Sequence, residues 1–191
     1  MTRTQKILII SAFAFIVLGL STLLIVRSKG KKMVDKEKNY IIGDSQTPFI
    51  DKNSLKAKRI SEESGKQSLW KGGQNLNWLK SAVDEYPISP DVNSIIINIG
   101  TNGGFSSNDN VKGLIDSIKM KFPNADLYAV QGSWGWGGNK NVTEEKVKSY
   151  YDNFRALGVK VFSTAIGSVS DPHGNLPIYS VIGKEIDETI S

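Results

Sequence analysis

Tyr40-Ile41-Ile42-Gly43-Asp44-Ser45-Gln46 is a short apolar run that ends abruptly in Gly-Asp-Ser. Such a junction reads as a buried strand that delivers a serine to a surface turn. Gly43 lets the backbone bend where a Cβ would obstruct it, and Asp44 and Ser45 can hydrogen-bond back to nearby amides and start a helix. By itself the tripeptide is compatible with a plain strand end followed by a helix cap. Its meaning depends on what the rest of the chain supplies.

Downstream of this stretch the pattern alternates. Apolar runs at Ser94–Ile99, Leu127–Val130 and Val159–Thr164 have strand length and are rich in Ile and Val. Between and after them, helical periodicity predicts helices over Leu76–Glu85, Val111–Phe122, Glu144–Leu157 and Tyr179–Ile190. A weaker pattern near Arg59 and Ile60 leaves room for one more strand. Near-continuous apolar strands separated by amphipathic helices imply a mostly parallel sheet covered on both faces. Sheets of this kind place their sites at the carboxyl ends of the strands, so the loops that follow the strands are where chemistry is expected.

Upstream, Ile7 to Val26 is a run of uncharged, mostly apolar residues long enough to cross a bilayer as a helix. The competing reading is a cleaved signal peptide with Arg3 and Lys6 as its basic start. No small-x-small cleavage pattern precedes Arg27, which favours an uncleaved anchor over residues 1–26, with its membrane helix at about 7–26. Residues 27–38 are charged and aperiodic and read as a linker, and the folded domain is expected over residues 39–191. Arg27, Lys29, Lys31 and Lys32 would hold that domain on the cytoplasmic side by the positive-inside rule, whereas a signal anchor would place it outside. Both sides stay open, with the extracytoplasmic side preferred.

Composition removes several function classes. The chain of 191 residues carries a net charge of +5, which invites a nucleic-acid reading. Residues 1–38, however, hold 8 of the 24 Lys and Arg and 2 of the 19 Asp and Glu, leaving 16 basic against 17 acidic residues beyond them. The basic excess thus flanks the apolar run, and no nucleic-acid partner is expected. With no cysteine there is no disulfide or thiolate chemistry, and a single histidine argues against a multi-histidine metal site. Any imidazole base must be His173.

The strand-end loops carry polar and glycine-rich blocks: Gly43-Asp44-Ser45, Gly72-Gly73-Gln74-Asn75, Gly100-Thr101-Asn102-Gly103-Gly104, Gly132-Ser133-Trp134-Gly135-Trp136, and Ser170-Asp171-Pro172-His173-Gly174. Acyl transfer needs a nucleophile, a base, a group that orients the base, and donors for the oxyanion. Ser45 could attack, His173 could serve as base and then acid, and Asp171 could hold the imidazole. The amides of Ser45 and Gly73 and the side chain of Asn102 could stabilise the developing negative charge. Trp134 and Trp136 are candidates for an aromatic platform that stacks on a sugar or covers an acyl group, the alternative being packing under the loop. Asn141-Val142-Thr143 reads as the cap of the helix that follows.

These blocks resemble the SGNH (GDSL-type) hydrolase superfamily, whose four name-giving residues fall here on Ser45, Gly73, Asn102 and His173. The resemblance covers residues 40–191 in order. It implies a flavodoxin-like three-layer α/β/α domain with esterase or lipase activity, often on acetylated carbohydrates, and no cofactor. Two departures stand out. Gly103 follows Asn102 where the family usually has Asp, and Asp171 lies two residues before His173 where the family spacing is three. Pro172 biases Asp171 toward an extended conformation, in which residues two apart point to the same side, so the carboxylate can still reach the imidazole. The expected function is a membrane-anchored serine esterase that removes a small acyl group, most plausibly acetyl. A catalytically silent binding module of the same fold is the alternative. A flavodoxin-like nucleotide or flavin binder ranks third, because Gln46-Thr47-Pro48 lacks a phosphate-cradling cluster.

Overall fold

The structure is a computed structural model that describes residues 38–62 and 66–190. The expected membrane helix and nearly all of the charged linker lie outside the described residues. Among the described residues no helix is long and apolar enough to cross a membrane.

Five parallel strands form the central sheet: β1 (Asn39–Gly43), β2 (Ala57–Arg59), β3 (Ser94–Asn98), β4 (Asp126–Ala129) and a later strand at Lys160–Val161. Their order in space places β2 and β3 on either side of β1, followed by β4 and then the Lys160–Val161 strand. The chain therefore winds outward from β1 in both directions. The resulting switch point lies between β1 and β3, where loops that depart to opposite faces leave a crevice at the carboxyl ends. The register is direct: Ile41 pairs with Ile96, Ile42 with Ile97, and Gly43 with Asn98.

Alternation along the strands sorts the core into two layers. Ile42, Ile95, Ile97 and Leu127 point to one face, where they meet α2 (Leu76–Glu85), α3 (Val111–Lys121) and α4 (Glu144–Ala156). Ile41, Ile96 and Tyr128 point to the other, against α1 (Thr47–Asn53) and α5 (Pro177–Thr189). This is the three-layer α/β/α arrangement with a parallel sheet, and it explains why the strands read as unbroken apolar runs: both faces are covered. Helix starts follow local chemistry. Asn75, Asn110 and Thr143 cap α2, α3 and α4 by accepting from the amides of Trp78, Gly113 and Lys146.

Three features refine the sequence expectation, which allows a helix to start at Asp44 and Ser45 but gives it no bounds. The Val159–Thr164 run pairs only at Lys160–Val161, the strand labelled β6 in chain order, because β4 beside it ends at Ala129. A short helix, α1, follows Ser45 directly, with Pro48 in its first turn, where a missing N–H costs nothing. A second, two-stranded parallel sheet forms from β5 (Ser133–Trp134) and β7 (Gly167–Ser168) beyond the carboxyl ends of the main sheet. That small sheet ties the loop after β4 to the loop after β6.

Candidate active site

The first strand ends in a backbone that only glycine permits. Gly43 has φ +147, and a Cβ there would lie 1.8 Å from the carbonyl oxygen of Asn98 in β3. The close approach lets Gly43 bond the carbonyl of Leu69 and lets Asp44 N–H bond that of Asn98, so three segments converge under Ser45. Asp44 itself is fully buried, and its Oδ1 accepts from the amide of Gln46 at 3.0 Å. Burial pushes its carboxyl up to about 7, although that amide bond pulls the other way. The chain turns at Ser45, which is half-buried, and enters α1.

His173 reaches this serine from the loop after β7. Its Nε2 lies 3.0 Å from Ser45 Oγ, and its Nδ1 lies 2.9 Å from Asp171 Oδ1. The same carboxylate oxygen accepts from the backbone N–H of His173 at 2.8 Å. That amide bond, followed by the imidazole bond, holds the Asp171 carboxyl below its ordinary range. Between them, Pro172 is buried, and its carbonyl accepts from the hydroxyl of Tyr179 in α5 at 2.7 Å. The β5–β7 pairing and the bond from Val169 N–H to the carbonyl of Trp134 carry this loop to the rim.

Asn102 and the Gly72-Gly73 turn arrive from β3 and from the segment before α2. Asn102 Nδ2 donates to the carbonyl of Gln74 at 3.1 Å, which joins the two loops and leaves the second amide hydrogen uncommitted by that bond. A Cβ on Gly72 would lie 3.7 Å from Ser45 Cβ, so this turn borders the serine. Gly73 has φ +73 and open space where a Cβ would be. The structure thus brings Ser45, His173 and Asp171 into one hydrogen-bonded row. It also joins Asn102 to the turn that carries Gly73.

The two tryptophans part company. Trp134 is partly buried and packs against the core on the α2, α3 and α4 side. Trp136 stands at right angles to the imidazole of His173, with ring centroids 5.1 Å apart. Residues the sequence reading passed over also converge here. Gln46 and Ser133 are fully buried, and Gln46 Nε2 donates to Ser133 Oγ at 2.7 Å and to Thr101 Oγ1 at 3.2 Å. Tyr151 of α4 places its hydroxyl within 2.9 Å of the carbonyls of Ile99 and Val130 and accepts from Gly132 N–H at 3.0 Å. The only sequence signal for Gln46 and Ser133 was their place beside a candidate residue. For Tyr151 there was none beyond an apolar helix position. Among the described residues, no group of three or more His, Cys, Asp and Glu side chains converges as a metal site would require.

The site is thus a switch-point serine on a 2-1-3-4-6 parallel sheet, hydrogen-bonded to a histidine that is itself paired with an aspartate of the same last loop. Solved structures, two of them described as lipolytic proteins of the G-D-S-L family, share this fold over most of the chain's length. A Streptococcus pneumonia protein provisionally described as a platelet activating factor matches with a TM-score of 0.54 at 15% identity, covering 92% of this chain and 98% of its own. A Desulfitobacterium hafniense protein provisionally assigned to the lipolytic G-D-S-L family matches at 0.52 and 12% identity, covering 80% and 98%. A member of the lipolytic G-D-S-L family from Veillonella parvula matches at 0.50 and 13% identity, covering 78% and 96%. No protein-family model and no curated protein matches the chain in sequence.

Proposed function

We propose that this chain is a serine esterase that removes a small acyl group, most plausibly acetyl, from a carbohydrate or other envelope-associated ester. The observation that carries the reading is the row Ser45 Oγ, His173 Nε2, His173 Nδ1, Asp171 Oδ1, with spacings of 3.0 and 2.9 Å at an open rim. The description of two similar folds as lipolytic supports ester hydrolysis as the reaction class. The apolar run at 7–26 supports a membrane anchor. It does not fix the side of the domain; the extracytoplasmic side is preferred because a surface ester would be within reach there.

In this mechanism Asp171 accepts from Nδ1–H, which leaves the Nε2 lone pair facing Ser45. Ser45 Oγ attacks the acyl carbon while its proton passes to Nε2. The carbonyl oxygen takes up the electron pair and is met by the amides of Ser45 and Gly73 and by the free amide hydrogen of Asn102. The imidazolium then protonates the leaving alkoxide as the C–O bond breaks. A water molecule, deprotonated by the same nitrogen, releases the acyl group as a carboxylic acid and restores Ser45. Asp44, adjacent to the nucleophile, holds its proton over much of the range below about pH 7 and so adds little negative charge next to the oxyanion there.

Labelling of the full chain in detergent with a fluorophosphonate probe tests the reading. Ser45 should be the labelled residue, and Ser45→Ala should lose both label and hydrolysis of a short-chain aryl ester. Label on another serine overturns the assignment, and an unlabelled, folded wild type favours a silent binding module.

A further inference from the structure

The histidine of this site is held unevenly. Asp171 is 66% exposed and His173 42%, so their contact is made in water, which competes for both partners and weakens the carboxylate's grip on the ring. On another side, the Trp136 indole stands at 90° to the imidazole with centroids 5.1 Å apart, an edge-to-face pairing of the favourable kind. Trp136 sits between Gly135 and Gly137, both at positive φ, in a turn closed by hydrogen bonds from Gly135 N–H to the Asn139 carbonyl and from Asn139 N–H to the Trp136 carbonyl, which fix its backbone but not its side chain. The indole is tied down instead from beneath. Its Nε1–H donates to Ser133 Oγ at 2.8 Å, and Ser133 Oγ also accepts from Gln46 Nε2 at 2.7 Å.

Gln46 and Ser133 are both fully buried, and Gln46 is the residue immediately after Ser45. The same amide reaches Thr101, the neighbour of Asn102, at 3.2 Å. Buried polar contacts of this sort persist because water is not there to replace them. A continuous brace therefore runs from Gln46, the residue after the serine, through Ser133 to the indole that meets the histidine ring.

We propose that Trp136 is a positioning residue, anchored through Ser133 to Gln46, that holds the His173 imidazole in the orientation facing Ser45. Its kinetic consequence rests on the esterase reading, whereas its structural consequence does not. In a substrate-platform role, Trp136 would contribute to KM for sugar esters. In the positioning role it contributes to kcat for every ester, including one with no sugar.

The chain contains one histidine, so its ring signals in an NMR spectrum are free of overlap and report the pairing without reference to activity. In the full chain, the wild-type Hε1 and Hδ2 resonances should be displaced by the indole ring current and show cross-relaxation to Trp136. Ser133→Ala, which removes the anchor, and Trp136→Ala, which removes the ring, should move both signals toward free-histidine positions. Trp136→Phe, which keeps a ring without its N–H, should fall between. It also keeps the test open if a buried Ser133→Ala variant does not fold. With phenyl acetate, kcat should fall roughly two- to ten-fold in Ser133→Ala and Trp136→Ala with KM unchanged, and Trp136→Phe should recover part of it.

Histidine signals undisplaced in the wild type, or unmoved in the Trp136 variants, overturn the proposal whether or not the chain cleaves esters. A loss confined to KM overturns it in favour of the platform. A displaced wild-type histidine that responds to the variants in a chain without esterase activity supports the brace and counts against the esterase reading alone.

Discussion

Asp171 and His173 are joined twice across a single proline: one carboxylate oxygen accepts both the backbone N–H of His173, at 2.8 Å, and its Nδ1, at 2.9 Å. An aspartate that accepts from the amide two residues ahead closes a small turn of its own. Pro172 at the centre of that turn is held by the Tyr179 hydroxyl. The short spacing between the two residues is therefore a closed local geometry and needs no additional residue between them.

If Asp171 orients the imidazole in catalysis, Asp171→Asn should fold normally and lose activity near neutral pH, since the amide can present N–H to the ring and favour the wrong tautomer. A buried triad acid is worth about 10⁴-fold. The exposure of Asp171 points to a smaller loss, on the order of ten- to a hundred-fold. Ser170→Ala, at the position three before His173, should be nearly silent. Equal rates for Asp171→Asn and wild type would leave a serine–histidine dyad.

Asn102→Ala removes one proposed oxyanion donor and also the bond to Gln74. Loss of such a donor costs about 10²- to 10³-fold in kcat with little change in KM. Steady-state kinetics on a short aryl ester read the two constants separately. A change confined to KM would place Asn102 on the substrate instead of on the transition state.

Asp44 makes stability depend on pH in an unusual direction. Its carboxyl ionises near 3.8 when unfolded and at about 7 in the fold, so between those values the native state keeps a proton that the unfolded chain has released. Stability must then fall as pH rises through this window and level off above it, by an amount on the order of 4 kcal/mol if no other group compensates. Asp44→Asn keeps an oxygen for the Gln46 amide and cannot ionise. Urea denaturation at pH 5 and pH 8 should show a larger loss for wild type than for Asp44→Asn, and parallel behaviour would show that Asp44 is ionised at both.

Tyr151→Phe tests the buried ties beneath the rim. Removing the hydroxyl strands the Gly132 N–H and takes a partner from the carbonyls of Ile99 and Val130. A buried donor left unpaired costs about 1–3 kcal/mol, which denaturant unfolding measures directly. An unchanged midpoint would mean that water replaces the hydroxyl.

The sequence by itself determined the layered architecture, because its evidence is local. Ile41-Ile42 and Ile95-Ile96-Ile97 mark strands buried on both faces, and the intervals between them carry the helical period. The positions of Ser45, Asn102 and His173 just past strand ends were legible for the same reason, and Gly43 marked the first bend. What only the tertiary structure decided has no local period. The two-residue β5 and β7 are too short to show alternation, and the three-residue β2 gave only the weak pattern near Arg59 and Ile60; all three exist because a neighbouring strand completes their hydrogen bonds. α1, with seven residues, takes its stability from packing against α5, where Gly183 lets the two helices approach so closely that a Cβ would lie 1.9 Å from the carbonyl oxygen of Asn53. The burial that raises the Asp44 carboxyl depends on everything packed around it. Likewise, Gln46, Thr101 and Ser133 are 55 and 87 residues apart in the pairs that join them. Contacts at that separation arise from the winding of the sheet around its switch point, and the sequence near each residue carries no trace of them.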